Sequence, residues 1–354
     1  MSIAAGSVPK RLKIYALLGT RANLEPTGGD VINESRFLET LTKFADVYYN
    51  GTLFKPGTPD FGLTKTTVEP PEPIYDLYYV RNNPPIFEMC PHPKIAMAYP
   101  YDENVFRSAD ALFVTTDGWM RGLLPYSPDN SYSLPLYGWY GDGIVDPPPL
   151  INIKQTVDPK FLEPVTDEQR LEARVKMTMA RAIGFFGRVE GNTFPTMFLS
   201  AYKRVTQEVR DLKFVVAGTV RIPLDRSILR LPRMPYDKMP ALVAGCVGTA
   251  SDEGNDAFFL GSGKVLDSMA QGVPIIAYKT PPRLEQLGED YPLYYEDERE
   301  CFTRIRELLF DKDIAAECRR QVLDRIKLFL PDSRAVAIRK DLEDLVARKS
   351  TGSL

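Results

Sequence analysis

Gly261-Ser262-Gly263-Lys264-Val265-Leu266-Asp267-Ser268-Met269-Ala270-Gln271-Gly272-Val273-Pro274-Ile275-Ile276-Ala277 is the stretch on which the reading of this chain turns. A glycine-rich turn opens a short helix, and Gly272 stands where a left-handed residue ends one. The apolar run after it reads as a buried strand. Backbone N–H groups at a helix amino terminus, together with the helix dipole, favour a phosphate. Glycines at 261 and 263, on either side of Ser262, let an anion approach the backbone closely. Lys264 adds a point charge. Asp267, three residues on, offers a carboxylate that can accept hydrogen bonds from a ribose. The plainer alternative is a tight turn with ordinary capping, in which Asp267 is only a favourable charge near a helix start. A Walker A loop is excluded, because Phe258 replaces its first glycine and Val265 replaces its magnesium-holding hydroxyl residue.

Outward from this stretch, short and nearly continuous apolar runs recur. They are Leu12–Leu18, Val47–Tyr49, Tyr75–Val80, Lys94–Ala98 and Ala111–Val114, then Ile183–Phe186, Lys213–Ala217, Gly245–Thr249, Val273–Tyr278 and Leu293–Tyr295. Such runs suit strands buried on both faces of a parallel sheet. Helical spacing appears at Thr196–Val209, Lys264–Gln271, Cys301–Phe310, Asp311–Leu330 and Ser333–Arg348. Proline clusters at Pro70-Pro71-Glu72-Pro73, Pro84-Pro85 and Pro147-Pro148-Pro149 read as loops. Strands alternating with helices over 354 residues predict an α/β chain of two Rossmann-like, doubly wound domains. The expected boundaries are 1–160 for an N-terminal domain, 161–332 for a C-terminal domain, and a last helix over 333–354 with the option of returning to the first domain. Open parallel sheets bind ligands beyond the carboxyl ends of their strands, so two facing domains would enclose a deep cleft.

Composition removes several classes of function. Lys plus Arg number 44 against 47 Asp plus Glu, and a net charge of -3 argues against a chain that coats nucleic acid. No apolar run is long enough for a transmembrane helix, and the first residues lack a secretory pattern. A cytoplasmic location is expected, with peripheral membrane contact left open. Cys90, Cys246, Cys301 and Cys318 form no CxxC, and His92 is the sole histidine. A Cys/His metal site is therefore not expected, nor is a serine–histidine hydrolase. No bound cofactor is implied.

Several segments together resemble one family. Lys264 to Ala277 resembles the signature K-x-x-E-x-M-A-x-G-x-P-V-I-A of the family 4-like glycosyltransferases with the GT-B fold. Ile183-Gly184-Phe185-Phe186-Gly187-Arg188-Val189-Glu190 resembles the strand and Gly-Arg loop that open that family's donor domain. Leu212–Thr219 resembles its next strand and glycine turn. Ala109–Thr115, Ile151–Asp158 and Thr27-Gly28-Gly29 resemble the end of its first domain, the interdomain approach and the loop after its first strand. The likeness is dense from about 180 to 297 and thin before 105.

The resemblance implies a retaining, metal-independent transfer of a sugar from a nucleotide-diphosphate donor to a saccharide or other glycosyl acceptor. The C-terminal domain would hold the donor. Arg188 and Lys264 would stabilise the departing diphosphate, and Gly28, Gly29, Gly187, Gly261, Ser262 and Gly263 would line the donor's path. Asp267 occupies the second acidic position of the family's E-x7-E motif as a shorter acid, while Phe259 stands at the first. Glu253, in Ser251-Asp252-Glu253-Gly254, resembles a Ser-x-x-Glu-Gly segment and is the candidate replacement. The loop around Arg233-Met234-Pro235 is the candidate for the base. The residues alone leave bland readings beside these: Arg188 as a surface ion-pair partner, Gly28 and Gly29 as a plain loop. Tyr137, Trp139, Tyr140 and Asp142 read either as a sugar-stacking platform or as loop packing. Competing functions are a nucleotide-sugar epimerase of the same fold and a two-lobed ligand-binding protein without catalysis.

Overall fold

The computed structural model describes residues 11–18, 29–51, 63–66, 72–81, 83–97, 103–115, 148–187, 189, 195–251 and 261–350. Gly28, Arg188, Glu253, and the Tyr137, Trp139, Tyr140 and Asp142 group lie outside them. The described chain through Val114, the strand Leu150–Asn152 with Ile153, and the chain from Arg334 onward form one compact unit, and Lys154–Ser333 forms a second.

The first unit runs β1 (Leu12–Leu17), α1 (Gly29–Leu41), β2 (Ala45–Asn50), β3 (Leu63–Lys65), β4 (Leu77–Val80), α2 (Pro84–Met89), β5 (Lys94–Met97), α3 (Glu103–Ser108), β6 (Ala111–Val114) and β7 (Leu150–Asn152). Its sheet has the order β3-β2-β1-β4-β5-β6-β7. Every pairing is parallel, with Ile14 opposite Val47 on one side and Leu77 on the other. All four residues of β4 and of β6 are buried, as expected of strands covered on both faces. Phe37 packs edge-on against Tyr79 and Phe113. Ile338, Leu342 and Leu345 of the last helix join this core, each contributing roughly 1.5–3 kcal/mol by burial.

The second unit runs α4 (Asp167–Lys176), β8 (Arg181–Phe186), α5 (Thr196–Val205), β9 (Leu212–Ala217), β10 (Ile228–Leu231), α6 (Met239–Ala244), β11 (Gly248–Ser251), α7 (Gly263–Ala270), β12 (Ile275–Tyr278), α8 (Pro281–Leu287), β13 (Tyr294–Tyr295), α9 (Glu298–Phe310) and α10 (Lys312–Arg325). The last helix, α11 (Pro331–Ser350), starts on the proline that the sequence offers as a break; at the first helical position no N–H is needed. The sheet order is β10-β9-β8-β11-β12-β13, again with parallel pairings. Two doubly wound α/β units are what the alternating pattern predicts.

Local signals account for many boundaries. Thr166 and Gln169 form a reciprocal capping box at the start of α4. Asp311 accepts from the amides of Asp313 and Ile314 at the start of α10. Gly272, at φ +64°, ends α7: its N–H bonds to Met269 O and that of Val273 to Ser268 O, the paired pattern of a Schellman close. Two expectations shift. Pro84-Pro85, read as a loop, opens α2, where the missing N–H is no loss. The strand read at Gly245–Thr249 is Gly248–Ser251, and Gly245 instead closes α6.

Candidate functional site

In both sheets the strand order reverses once, between β1 and β4 in the first and between β8 and β11 in the second. Doubly wound sheets take ligands at the carboxyl ends flanking such a reversal. In the second unit those ends are Gly187, just after β8, and Ser251, the last residue of β11. Arg188 and Glu253 follow them in sequence.

Three glycine-dependent features meet there. Gly187 and Gly218 have φ of +144° and +143°, in the region that side-chain-bearing residues avoid. A Cβ placed on Gly218 would lie 1.9 Å from the carbonyl oxygen of Gly187. The two strand ends are thus in backbone contact. Pairing continues past them, since Gly187 N–H donates to Ala217 O and Val189 N–H to Thr219 O, at 2.9 and 2.8 Å. A Cβ on Gly187 would meet Lys264 Cδ at 3.1 Å. The bare glycine is what lets the lysine stem cross the end of β8. Lys264 Nζ stands 4.4 Å from the ring centroid of Phe185, a cation–π contact that holds the ammonium beside the strand end. The structure therefore brings Gly187 and Lys264 together, although they are far apart in sequence.

Gly263 begins α7, and the intrahelical ladder begins with Leu266 N–H donating to Ser262 O at 3.3 Å. The amides of Gly263, Lys264 and Val265 precede that ladder, the arrangement that suits an anion. Ser262 is the N-cap, yet its side chain makes no capping bond. Its backbone is held instead by Gln286: Ser262 N–H donates to Gln286 Oε1 at 3.3 Å, and Gln286 Nε2 donates to Ser262 O at 3.0 Å. Gly261 is crowded by amide side chains, with Gln155 Oε1 at 3.1 Å and Gln286 Nε2 at 3.4 Å from where its Cβ would stand.

Asp267 is the fifth residue of α7 and half-buried, and the first turn holds no acid. The dipole effect fades within the first turn, so a dipole role fits this position poorly. On a helix Asp267 shares a face with Gly263 and Lys264. Met234 follows β10, at one edge of the sheet, and packs half-buried against the unit's core. In the first unit, Gly29 is the first residue of α1. His92, outside the site, pairs Nδ1 with Asp110 Oδ2 at 2.7 Å. All four cysteines are buried and unbridged. Among the described residues no helix is long and apolar enough to cross a membrane.

Ser251, Arg283 and Gln286 were not singled out by the sequence, yet they hold the turn in place. Thr280-Pro281-Pro282 was the available signal, since proline at the first helical positions marks a helix start.

No family model matches the chain, and no curated protein matches it by sequence. Solved structures match over nearly its whole length. HepE from Anabaena, in complex with UDP-glucose, superposes with a TM-score of 0.68 at 13% identity, covering 94% of this chain and 100% of that one. The UDP-forming α,α-trehalose-phosphate synthase from Burkholderia vietnamiensis gives 0.63 at 10% identity, over 95% and 99%. A glycosyltransferase from Rickettsia africae ESF-5 gives 0.64 at 11%, over 95% and 99%. At such identities the likeness speaks to architecture: the chain has the two-unit, doubly wound GT-B fold of these glycosyltransferases.

Proposed function

We propose that the protein transfers a sugar from a nucleotide-diphosphate donor to a saccharide or other glycosyl acceptor, retaining anomeric configuration and using no metal ion. The observation that carries this reading is the meeting of Gly187, Gly218, Lys264 and the amino end of α7 at the strand-order reversal of the second sheet. A diphosphate leaves with growing negative charge. Preorganised amides and cations aimed at that charge lower the barrier without a divalent ion. HepE binds UDP-glucose in the structure that this chain resembles, which supports a nucleotide-sugar donor here. Arg188 and Lys264 would face the diphosphate, Asp267 the ribose, and Glu253 the sugar. The second unit would carry the donor and the first the acceptor.

The direct test is incubation with a panel of UDP-, GDP-, ADP- and TDP-sugars. Release of nucleoside diphosphate, stimulated by acceptor, is the expected result. Interconversion of the sugar without release would instead indicate an epimerase. Stable binding without turnover would indicate a binding protein.

Transfer is expected to survive excess EDTA, because Lys264, Arg188 and the α7 amides supply the positive charge. Activity abolished by EDTA and restored by magnesium or manganese would overturn the metal-free mechanism.

Asp267 is expected to govern nucleotide affinity more than chemistry. Asp267→Asn keeps the shape but loses the charge-assisted acceptor, and Asp267→Ala loses both. Affinity for the free nucleoside diphosphate should fall in the order parent, Asn, Ala. The Ala loss should be about 1.5–3 kcal/mol, the range for a hydrogen bond to a charged group. Calorimetric titration reads this directly. Equal affinities would place the ribose elsewhere, with Glu253 the next residue to replace.

A further inference from the structure

Arg283 is a buried cation outside the motifs already discussed. It is 2% exposed and its neighbour Gln286 is 3% exposed. Arg283 Nε donates to Ser251 Oγ at 2.8 Å, and Nη1 donates to Gln286 Oε1 at 2.9 Å. Gln286 then grips both the N–H and the carbonyl of Ser262. Ser251 ends β11 and Ser262 caps α7. One side-chain pair therefore links the end of β11 to the N-cap of α7.

The base of this clamp is itself anchored. Tyr294 OH reaches the carbonyls of Arg283 and Gly288, at 2.8 and 2.9 Å. Arg325 donates to the carbonyls of Glu285 and Gln286 at the carboxyl end of α8. Lys154 Nζ pairs with Glu285 at 2.7 Å. Burial lowers Arg283 to about 10, so it stays protonated at neutral pH. Removing a guanidinium from water is costly, and a core that needed only volume at this position would be served by an apolar side chain. What the guanidinium adds is a rigid fork with two directed donors. One arm lies on the strand end and the other on the residue that aims the α7 turn.

We infer that Arg283, acting through Gln286, is the positioning residue of the donor site: it holds the amino end of α7 in register with the strand end at Ser251. This rests on the donor-site reading above. Its consequence is specific to Ser262, because Gln286 is the side chain seen gripping that residue's backbone.

The variants are Gln286→Glu, Gln286→Leu, Arg283→Met and the double variant Arg283→Met/Gln286→Leu, all in the full chain. Glu keeps the acceptor for Ser262 N–H and for Arg283, the arm that joins the two, and gives up only the donor to Ser262 O. Leu keeps most of the volume and no polar group. Affinities for UDP, GDP and ADP are measured by calorimetry, and amide exchange is followed for the peptide covering 261–266. The strand peptide 212–217 serves as the internal reference.

Gln286→Glu should bind nucleoside diphosphate within about threefold of the parent, whereas Gln286→Leu and Arg283→Met should each bind at least tenfold more weakly. The double variant should be no worse than either single one, since both act through one chain of contacts. Exchange should accelerate at 261–266 and not at 212–217. Parental affinity in the Leu and Met variants would overturn the inference. So would equal losses in Glu and Leu, or exchange accelerated equally in both peptides, either of which would mark a general packing role. A parent that binds none of the three diphosphates would sink the donor reading. Exchange confined to 261–266 would in that case still support the clamp, and unchanged exchange would reject it.

Discussion

Arg188→Ala should lower kcat by about 10²–10³, the cost of removing one preorganised charge donor from a site where negative charge develops, or about 2.7–4 kcal/mol of barrier. The expectation draws on the backbone around this residue. Gly187 N–H is bonded to Ala217 O, and Val189 N–H to Thr219 O, so the chain on each side of Arg188 is fixed at the end of β8. The effect should fall on kcat and on kcat/KM together, the sign of an interaction made chiefly in the transition state. The melting midpoint should move little, because the bonds that hold the strand end belong to the neighbouring backbone. The test is steady-state kinetics beside a thermal melt for parent and variant. Parental kinetics in a folded Arg188→Ala protein would take this residue out of the site and leave the diphosphate to Lys264 and the α7 amides.

The architecture was legible because strands buried on both faces write themselves as short continuous apolar runs. Ala111–Val114 is read from the sequence with the boundaries that the structure has. The strands that escape such a reading are of another kind. Leu63–Lys65 lies at a sheet edge with two exposed residues, and Ile228–Leu231 is an edge strand buried at its ends only. Helices that begin on proline escape for a different reason. Pro84-Pro85, Pro240 and Pro281-Pro282 look like loop residues but stand at first helical positions, where the missing N–H is no loss. At the candidate site, the 261–272 stretch was readable because its turn, helix and glycine close are local. The contact of Gly218 with Gly187, and of Lys264 with both Gly187 and Phe185, depends on the strand order and is written nowhere in the sequence as a motif. The Arg283 clamp is further removed still. Its partners Ser251 and Ser262 lie on other elements, and its own helix is one of those that begin on proline.

Gly218→Ala should be among the most damaging single-methyl changes in the second unit. Two costs act together. At φ +143° an alanine is strained, which costs of order 1–3 kcal/mol. Its Cβ would also sit 1.9 Å from Gly187 O, where the obstacle is backbone and not the end of a side chain. The β8 and β9 ends would have to separate, adding an overpacking cost of about 1–3 kcal/mol. Taken together these put the loss near 4 kcal/mol, and at about 2–4 °C per kcal/mol for a unit of this size the melting midpoint should fall by about 8–16 °C. Gly187→Ala is the instructive contrast. Its φ is as unfavourable, but its Cβ would meet Lys264 Cδ at 3.1 Å, the flexible stem of a long side chain that can move aside. That variant should lose only the strain, about 1–3 kcal/mol, while displacing the ammonium from Phe185 and weakening nucleoside diphosphate binding. Gly218→Ala should thus be read mainly in stability, and Gly187→Ala in affinity beyond what its stability loss explains. Melting curves with and without UDP for the two variants separate these outcomes. Equal melting midpoints would mean that the Gly187–Gly218 contact yields easily, and that the end of β8 is not held against β9 in the way its backbone suggests.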